Sequence, residues 1–264
     1  MVKSEIQTAV LIGAGNVGWH LGLELNKRGI RILQVISKSQ TSCKKLAGLL
    51  QADYTTRLQQ LEMKAGIIIL AVPDSQIDAI IAQCDFRDNL VVHTAGSVPM
   101  EVFRGNAVNY GVLYPLMTFT RQKPVDFESV PLLIEANSNR NKITLNSLAK
   151  SLSKTVRTTT TEQRKTIHLA AVIACNFTNH MYTIAEALLA EKGIPFELLK
   201  PLIRETSEKI NDLSSRDAQT GPAVRNDTST LEEHLRLLAS HPEIAELYRQ
   251  ISKSIITFTR QKKK

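Results

Sequence analysis

Cysteine is scarce in this sequence. Cys43, Cys84 and Cys175 are three in 264 residues, and none stands in a C-x-x-C pair. So few and so widely spaced, they exclude a disulfide framework and a cysteine zinc site; no metal is expected, and a reducing, cytoplasmic setting fits. Long apolar runs are also missing. No stretch of 18 or more apolar residues is present, so no membrane span and no membrane partner is expected. The first apolar segment starts by about residue 8, which leaves no room for a secretory leader and keeps the expected location cytoplasmic. Acid is in shorter supply than base, with 25 Asp and Glu against 33 Lys and Arg and a net charge of +8. The one dense basic run, Lys262-Lys263-Lys264 with Arg260 nearby, sits at the chain end, where it reads as a solvated tail, and no nucleic-acid partner is expected. Elsewhere the positive balance favours an anionic cofactor or substrate. There is no internal repeat and no low-complexity segment. At 43% hydrophobic content, the length suits one large or two modest globular domains.

What is present begins with residues 8–36, which read as an apolar strand, a glycine-rich turn, an amphipathic helix and a second apolar strand. The turn matches G-x-G-x-x-G as Gly13-Ala14-Gly15-Asn16-Val17-Gly18. Gly13 allows the tight turn, Gly15 lets backbone approach a pyrophosphate, and Gly18 lets the helix pack on the strand. Free N–H groups at the helix start face the phosphates, and the helix dipole adds to their pull. A glycine turn can be merely structural, but the apolar strand before it and the helix after it give the context of dinucleotide binding. Gly13, Gly15, Asn16 and Val17 are therefore expected to hold the pyrophosphate.

A further absence bears on which dinucleotide. NAD-preferring sites place Asp or Glu at the end of the second strand, to bind the ribose 2′-OH. Here that strand runs into Ser37-Lys38-Ser39, and no carboxylate lies between Glu24 and Asp53. Hydroxyls and an ammonium suit a 2′-phosphate, so NADP(H) is the expected cofactor; a polar loop with a solvated lysine is the plainer alternative.

The first half alternates strand and helix patterns, with apolar strand candidates at 8–12, 31–36, 66–72, 89–94, 109–114 and 131–135. This predicts a doubly wound, mostly parallel Rossmann sheet with helices on both faces over residues 1–157. Asp74 reads as a helix-start residue before Ile77, Ile80 and Ile81. The second half predicts an all-α domain over 158–264, with a long apolar helix from Glu162 to Gly193 and further helices near 195–213, 228–240 and 242–258. So apolar a helix is expected to be buried on more than one side, and a homodimer through the C-terminal helices is the expected way to complete the core.

Ligands of an open parallel sheet sit beyond the carboxyl ends of its strands. That rule adds Ala71, Val72, Pro73 and Thr94 to the cofactor set and brings His93 and Tyr114 to the site. His93, ending a strand, can assist a proton transfer or serve as a hydrogen-bonded structural side chain. On the long helix, His168, Asn176, Asn179 and His180 interrupt an apolar surface and each needs a partner, either a ligand or another helix. Reduction of a carbonyl or imine needs a proton donor near the receiving heteroatom. His168 is the leading acid/base, with Asn176 orienting substrate and Asn179 as a further contact. The loop Gln219–Asp227 holds Arg225, a fork suited to an anionic substrate, or else a surface arginine on a helix-capping loop.

The order G-A-G-N-V-G, AVPD at 71–74, HTAGS at 93–97, YPLMTF at 114–119, HLAAVIACNFTNHMY at 168–182, PLIRET at 201–206 and QTGPAVRND at 219–227 resembles one family along essentially the whole chain. These are Rossmann-like oxidoreductases whose C-terminal helical module is a domain of unknown function. They are similar to pyrroline-5-carboxylate reductases, coenzyme F420-linked NADP reductases and β-hydroxyacid dehydrogenases. The resemblance implies an NADP-binding domain, a helical domain contributing to dimerisation, and a reaction centre between them. Two departures stand out: no lysine precedes an asparagine by four residues on the long helix, as in the β-hydroxyacid dehydrogenases, and Tyr114 replaces a histidine found before Pro-Leu in many relatives. The expectation is an NADP(H)-dependent oxidoreductase acting on a small polar, anionic metabolite in a cleft between the domains; the alternative is a non-catalytic NADP(H)-binding redox sensor.

Overall fold

A computed structural model of the chain describes residues 5–260. The basic run Lys262–Lys264 lies outside the described residues, as does the side chain of Arg260. Residues up to Asn176 form one compact unit and residues from Phe177 onward a second.

The first unit is built on an eight-stranded sheet. Its strands are β1 (Thr8–Ile12), β2 (Arg31–Ile36), β3 (Asp53–Thr55), β4 (Ile67–Leu70), β5 (Arg87–His93), β6 (Ala107–Pro115), β7 (Leu132–Ala136) and β8 (Val156–Thr158). They lie in the order β3-β2-β1-β4-β5-β6-β7-β8, parallel except where β7 meets β6. The six expected strands are all present. The structure adds β3 and β8, three-residue segments at or near the ends of the sheet, too short for a periodicity to register.

Alternation along the strands sends side chains to two cores. From β1 and β4, Ala9, Leu11, Ile67 and Ile69 face one core, and Val10, Ile12, Ile68 and Leu70 face the other. The first core is covered by α1 (Asn16–Lys27), α2 (Gln40–Leu50) and α4 (Asn139–Leu152); the second by α3 (Asp74–Ile81) with Phe86 and Phe103. Strands buried on both faces must be apolar at every position, as β4 is. Asp74 is the first residue of α3, as expected of a helix start. Chain order reverses between β1 and β4, which places a crevice at their carboxyl ends.

Helix α5 (Thr161–Ala171) belongs to the first unit and starts with a capping box, Thr160 with Gln163. A π-helical segment, Val172–Phe177, follows it. The second unit consists of α6 (Thr178–Ala190), α7 (Lys200–Glu208), α8 (Pro222–Arg225), α9 (Thr228–Leu237) and α10 (Pro242–Arg260). Two differences from the sequence pattern stand out. The helix expected over 195–213 is α7 flanked by 3-10 turns at Phe196–Leu199 and Lys209–Asn211. No residue of α6 is buried, although its composition predicted burial on more than one side.

Candidate active site

The turn after β1 presents bare backbone to a cavity. Gly13 has φ +115°, and a Cβ there would lie 2.1 Å from the Ala71 carbonyl oxygen, so only glycine fits. Gly15, by contrast, has no neighbour within 4 Å of a built Cβ. It is also the N-cap of α1, so no side chain caps the first amides of that helix, and no acidic residue stands in its first turn. Those donors are free to take an anion. The cavity beside them has a volume of about 580 Å³. It is lined by Gly15–Val17, Ala71–Asp74, Thr94–Gly96, Tyr114–Phe119 and, from α5 and the π segment, His168, Ala171, Val172, Cys175 and Asn176. Every lining residue belongs to the first unit. An open cradle, unused helix amides and an adjoining cavity fit a dinucleotide pyrophosphate.

The turn after β2 is a separate patch. Ser37 is partly buried, while Lys38 and Ser39 are exposed. Ser39 Oγ caps α2 by accepting from the Ser42 amide at 3.3 Å. These residues do not line the cavity, whereas the expected Ala71, Val72, Pro73 and Thr94 do.

Opposite the glycine turn, the Tyr114 hydroxyl lies 2.9 Å from His168 Nδ1, with the rings edge-on at 76°. Burial raises the Tyr114 phenol above its ordinary range, the Asp74 charge adding and the Arg164 charge opposing. Ser97 Oγ donates to Asp74, joining the ends of β5 and β4 at the cavity rim. Asn176 is exposed on the cavity wall.

Arg164 holds this arrangement from below. It is fully buried, pairs with Glu135 at 3.0 Å, and donates to the Val98 carbonyl from Nη1 at 3.0 Å and Nη2 at 2.9 Å, and to the Gly96 carbonyl at 3.2 Å. Burial lowers its pKa, and the Glu135 carboxylate opposes that. The residue thereby ties helix α5 to the 95–98 turn. Sequence reading missed it, since a lone arginine between Gln163 and Lys165 resembles a solvated face; the available signal was its spacing of four from His168.

His93 sits elsewhere than the cavity wall. It is fully buried, its Nδ1 accepts from the Ala95 amide at 3.1 Å, and its ring stacks on Phe103 at 5.7 Å. Burial, with the Arg164 charge adding, pushes the imidazole down to about 3, so it is neutral across the working pH range. Asn179 and Arg225 belong to the second unit and are exposed there; Arg225 ends the short helix α8. Among the described residues no cluster of three or more His, Cys, Asp or Glu is placed to hold a metal. Among them, too, no helix is long and apolar enough to cross a membrane.

Residues 8–96 match the family described as NADP oxidoreductase, coenzyme F420-dependent, and residues 130–255 match a domain of unknown function, DUF2520. No curated protein matches the sequence. Among solved structures, a candidate NADP oxidoreductase from Bacteroides fragilis is 42% identical over 96% of this chain and 99% of that one, with a TM-score of 0.90. A protein from Thermotoga maritima is 20% identical over 97% and 100%, with a TM-score of 0.72. An imine reductase from Myxococcus stipitatus in complex with NADP+ is 18% identical over 96% and 93%, with a TM-score of 0.65. These last two share the fold.

Proposed function

Because the chain belongs to the family that joins an NADP oxidoreductase Rossmann domain to the DUF2520 helical domain, we propose that it transfers a hydride between NADP(H) and a small polar, anionic metabolite. The chain is an NADP-dependent oxidoreductase with NADP(H) as cofactor. The observation that carries the finer reading is one cavity holding both the uncapped amides of α1 and the Tyr114–His168 pair.

Gly13, Gly15, Asn16 and Val17 hold the pyrophosphate, Ser37, Lys38 and Ser39 lie towards the 2′-phosphate, and Ala71–Pro73 with Thr94 flank the nicotinamide ribose. Bound NADP(H) supplies or accepts the hydride at a carbonyl or imine carbon. The heteroatom then needs a proton, and His168 is the group placed to give it. Its Nδ1 is hydrogen-bonded to the Tyr114 hydroxyl, which fixes the ring, and its Nε2 is the atom that transfers the proton. Tyr114 is a neutral phenol at working pH, as an ordinary tyrosine is, and burial raises it further. Asn176 orients the substrate. His93 acts as scaffold under the 95–97 turn rather than as a proton carrier, in keeping with its burial. Asn179 and Arg225 are proposed substrate contacts on residue type, an amide and a guanidinium suited to a polar anion.

A homodimer through the C-terminal helices is part of the proposal. Leu198, Leu202, Ile210, Leu213, Leu237 and Phe258 are large apolar side chains left exposed in the second unit. A second copy of the chain gives them cover. Sedimentation of the purified chain at twice the monomer mass supports this, and a monomer defeats it.

The catalytic reading is tested by following NADPH oxidation against a panel of small keto acids and cyclic imines. His168→Ala is expected to cut kcat by about 10²- to 10⁴-fold while leaving the Kd for NADPH unchanged. Tight NADPH binding with no turnover of any member would overturn it.

A further inference from the structure

One guanidinium near the cofactor turn has no part in the proposed hydride and proton transfer. Arg121 lies in the loop after β6, far in sequence from the glycine turn, yet it reaches that turn. Its Nη2 donates to the Ala14 carbonyl, and its Nη1 donates to Ser42 Oγ at 3.4 Å, in the first turn of α2. Its Cζ lies 5.2 Å from the centroid of the Trp19 ring, over which Lys45 Nζ also sits at 5.8 Å. Two neighbours hold the loop in place: Asn16 Nδ2 donates to the Phe119 carbonyl at 2.9 Å, and His20 Nε2 pairs with the Thr120 carbonyl at 3.1 Å.

Two features direct this group toward a ligand. Among the described residues, its polar partners are a carbonyl and a hydroxyl, with no carboxylate ion pair. Its Nε is buried without a hydrogen-bond partner. A guanidinium drawn partly out of water with no counter-charge is costly, and an anion that binds beside its accessible edge removes that cost. Arg121 spans the gap between the glycine turn and the start of α2, which is the carboxyl end of β2. There the ribose 2′ substituent is read, and a nearby arginine accommodates a 2′-phosphate. The local groups offer less: Ser39 Oγ accepts the Ser42 amide as a helix cap and has a single O–H to donate, and Lys38 is exposed.

We propose that Arg121 is the principal contact of the 2′-phosphate and sets the preference for NADP(H) over NAD(H). The proposal rests on NADP(H) being the cofactor, and it assigns the discrimination to a residue outside the β2–α2 turn. An arginine fork grips a phosphate with two parallel N–H donors, which an ammonium on a flexible stem cannot do.

Trp19 is the only tryptophan in the chain and touches Arg121, so its fluorescence reports binding without any turnover. Wild type, R121Q and R121K are titrated with NADPH and with NADH, and their melting curves check folding. R121Q is expected to weaken NADPH by about tenfold or more while NADH stays within about twofold. R121K is expected to fall between the two, and it serves as the test if R121Q melts below the working temperature. An equal loss for both dinucleotides overturns the proposal, since it means that Arg121 holds the glycine turn or the shared diphosphate. Unchanged NADPH affinity overturns it too. A wild-type chain that binds NADPH and NADH alike defeats instead the cofactor assignment on which the proposal rests, and that result is read before any substitution is made.

Discussion

Gly96 faces the His168 ring so closely that a Cβ on it would lie 2.5 Å from Cγ and Nδ1 and 2.9 Å from the histidine Cβ. The smallest substitution, Gly96→Ala, must therefore push the whole His168 side chain away and disturb its 2.9 Å contact with Tyr114. A displacement near 1 Å at a reacting group costs about 100-fold in rate. We expect kcat to fall by about that factor in Gly96→Ala, with NADPH affinity unchanged. Wild-type turnover in this variant would remove His168 from the reaction.

Gly15 offers the opposite case, a glycine with free space around its Cβ position. Gly15→Ala should fold, with a melting temperature within a few degrees of wild type, because the new Cβ meets no protein atom within 4 Å. It would occupy the approach to the α1 amides, so NADPH binding should be lost, as calorimetry can measure. Normal binding by this variant would move the dinucleotide away from the glycine turn.

Arg164 and Glu135 form a buried pair at 3.0 Å. Arg164→Met leaves the Glu135 carboxylate without its charge partner and frees the 95–98 turn. A loss of about 3–5 kcal/mol in unfolding free energy is expected from denaturant titration. Adding Glu135→Leu should return part of that stability, but not the turnover, because the carbonyls of Gly96 and Val98 remain unheld. Full recovery of turnover in the double variant would show that Arg164 has no positioning role.

His93 makes stability depend on pH. Folded, its imidazole protonates at about 3; unfolded, near 6.5. Below pH 6.5 the unfolded chain binds a proton that the folded chain refuses, so this group lowers stability as pH falls, by up to about 1.4 kcal/mol per unit. His93→Gln keeps an acceptor for the Ala95 amide and removes the titration. The fall of melting temperature between pH 6.5 and about pH 4 should be shallower in that variant, and an identical slope would refute the origin assigned to it.

Repeated local patterns carried most of the architecture. Ile67–Leu70, apolar at every position, announces a strand covered on both faces, and Gly13-x-Gly15-x-x-Gly18 between a strand and a helix announces a phosphate turn, because backbone sterics and burial act over a few neighbouring residues. The strands at Asp53–Thr55 and Val156–Thr158 are not legible in the sequence, since three residues hold too short a period to read. His168 and Asn176 were legible as polar residues in an apolar helix, and both line the cavity. His93 was legible only as a strand end, and burial beneath the 95–97 turn was not.

Amino-acid order alone was thus enough for the six inner strands of the sheet, the glycine turn, the class of cofactor and the polar positions of the long helix. It could not pair Tyr114 with His168, set Arg164 against Glu135, or carry Arg121 back to Ala14 and Ser42, because those partners lie 29 to 107 positions apart. Only packing of the sheet and its loops brings them within hydrogen-bond reach, and the short range of that force is why the folded chain, rather than the residue pattern, decides which side chains act together.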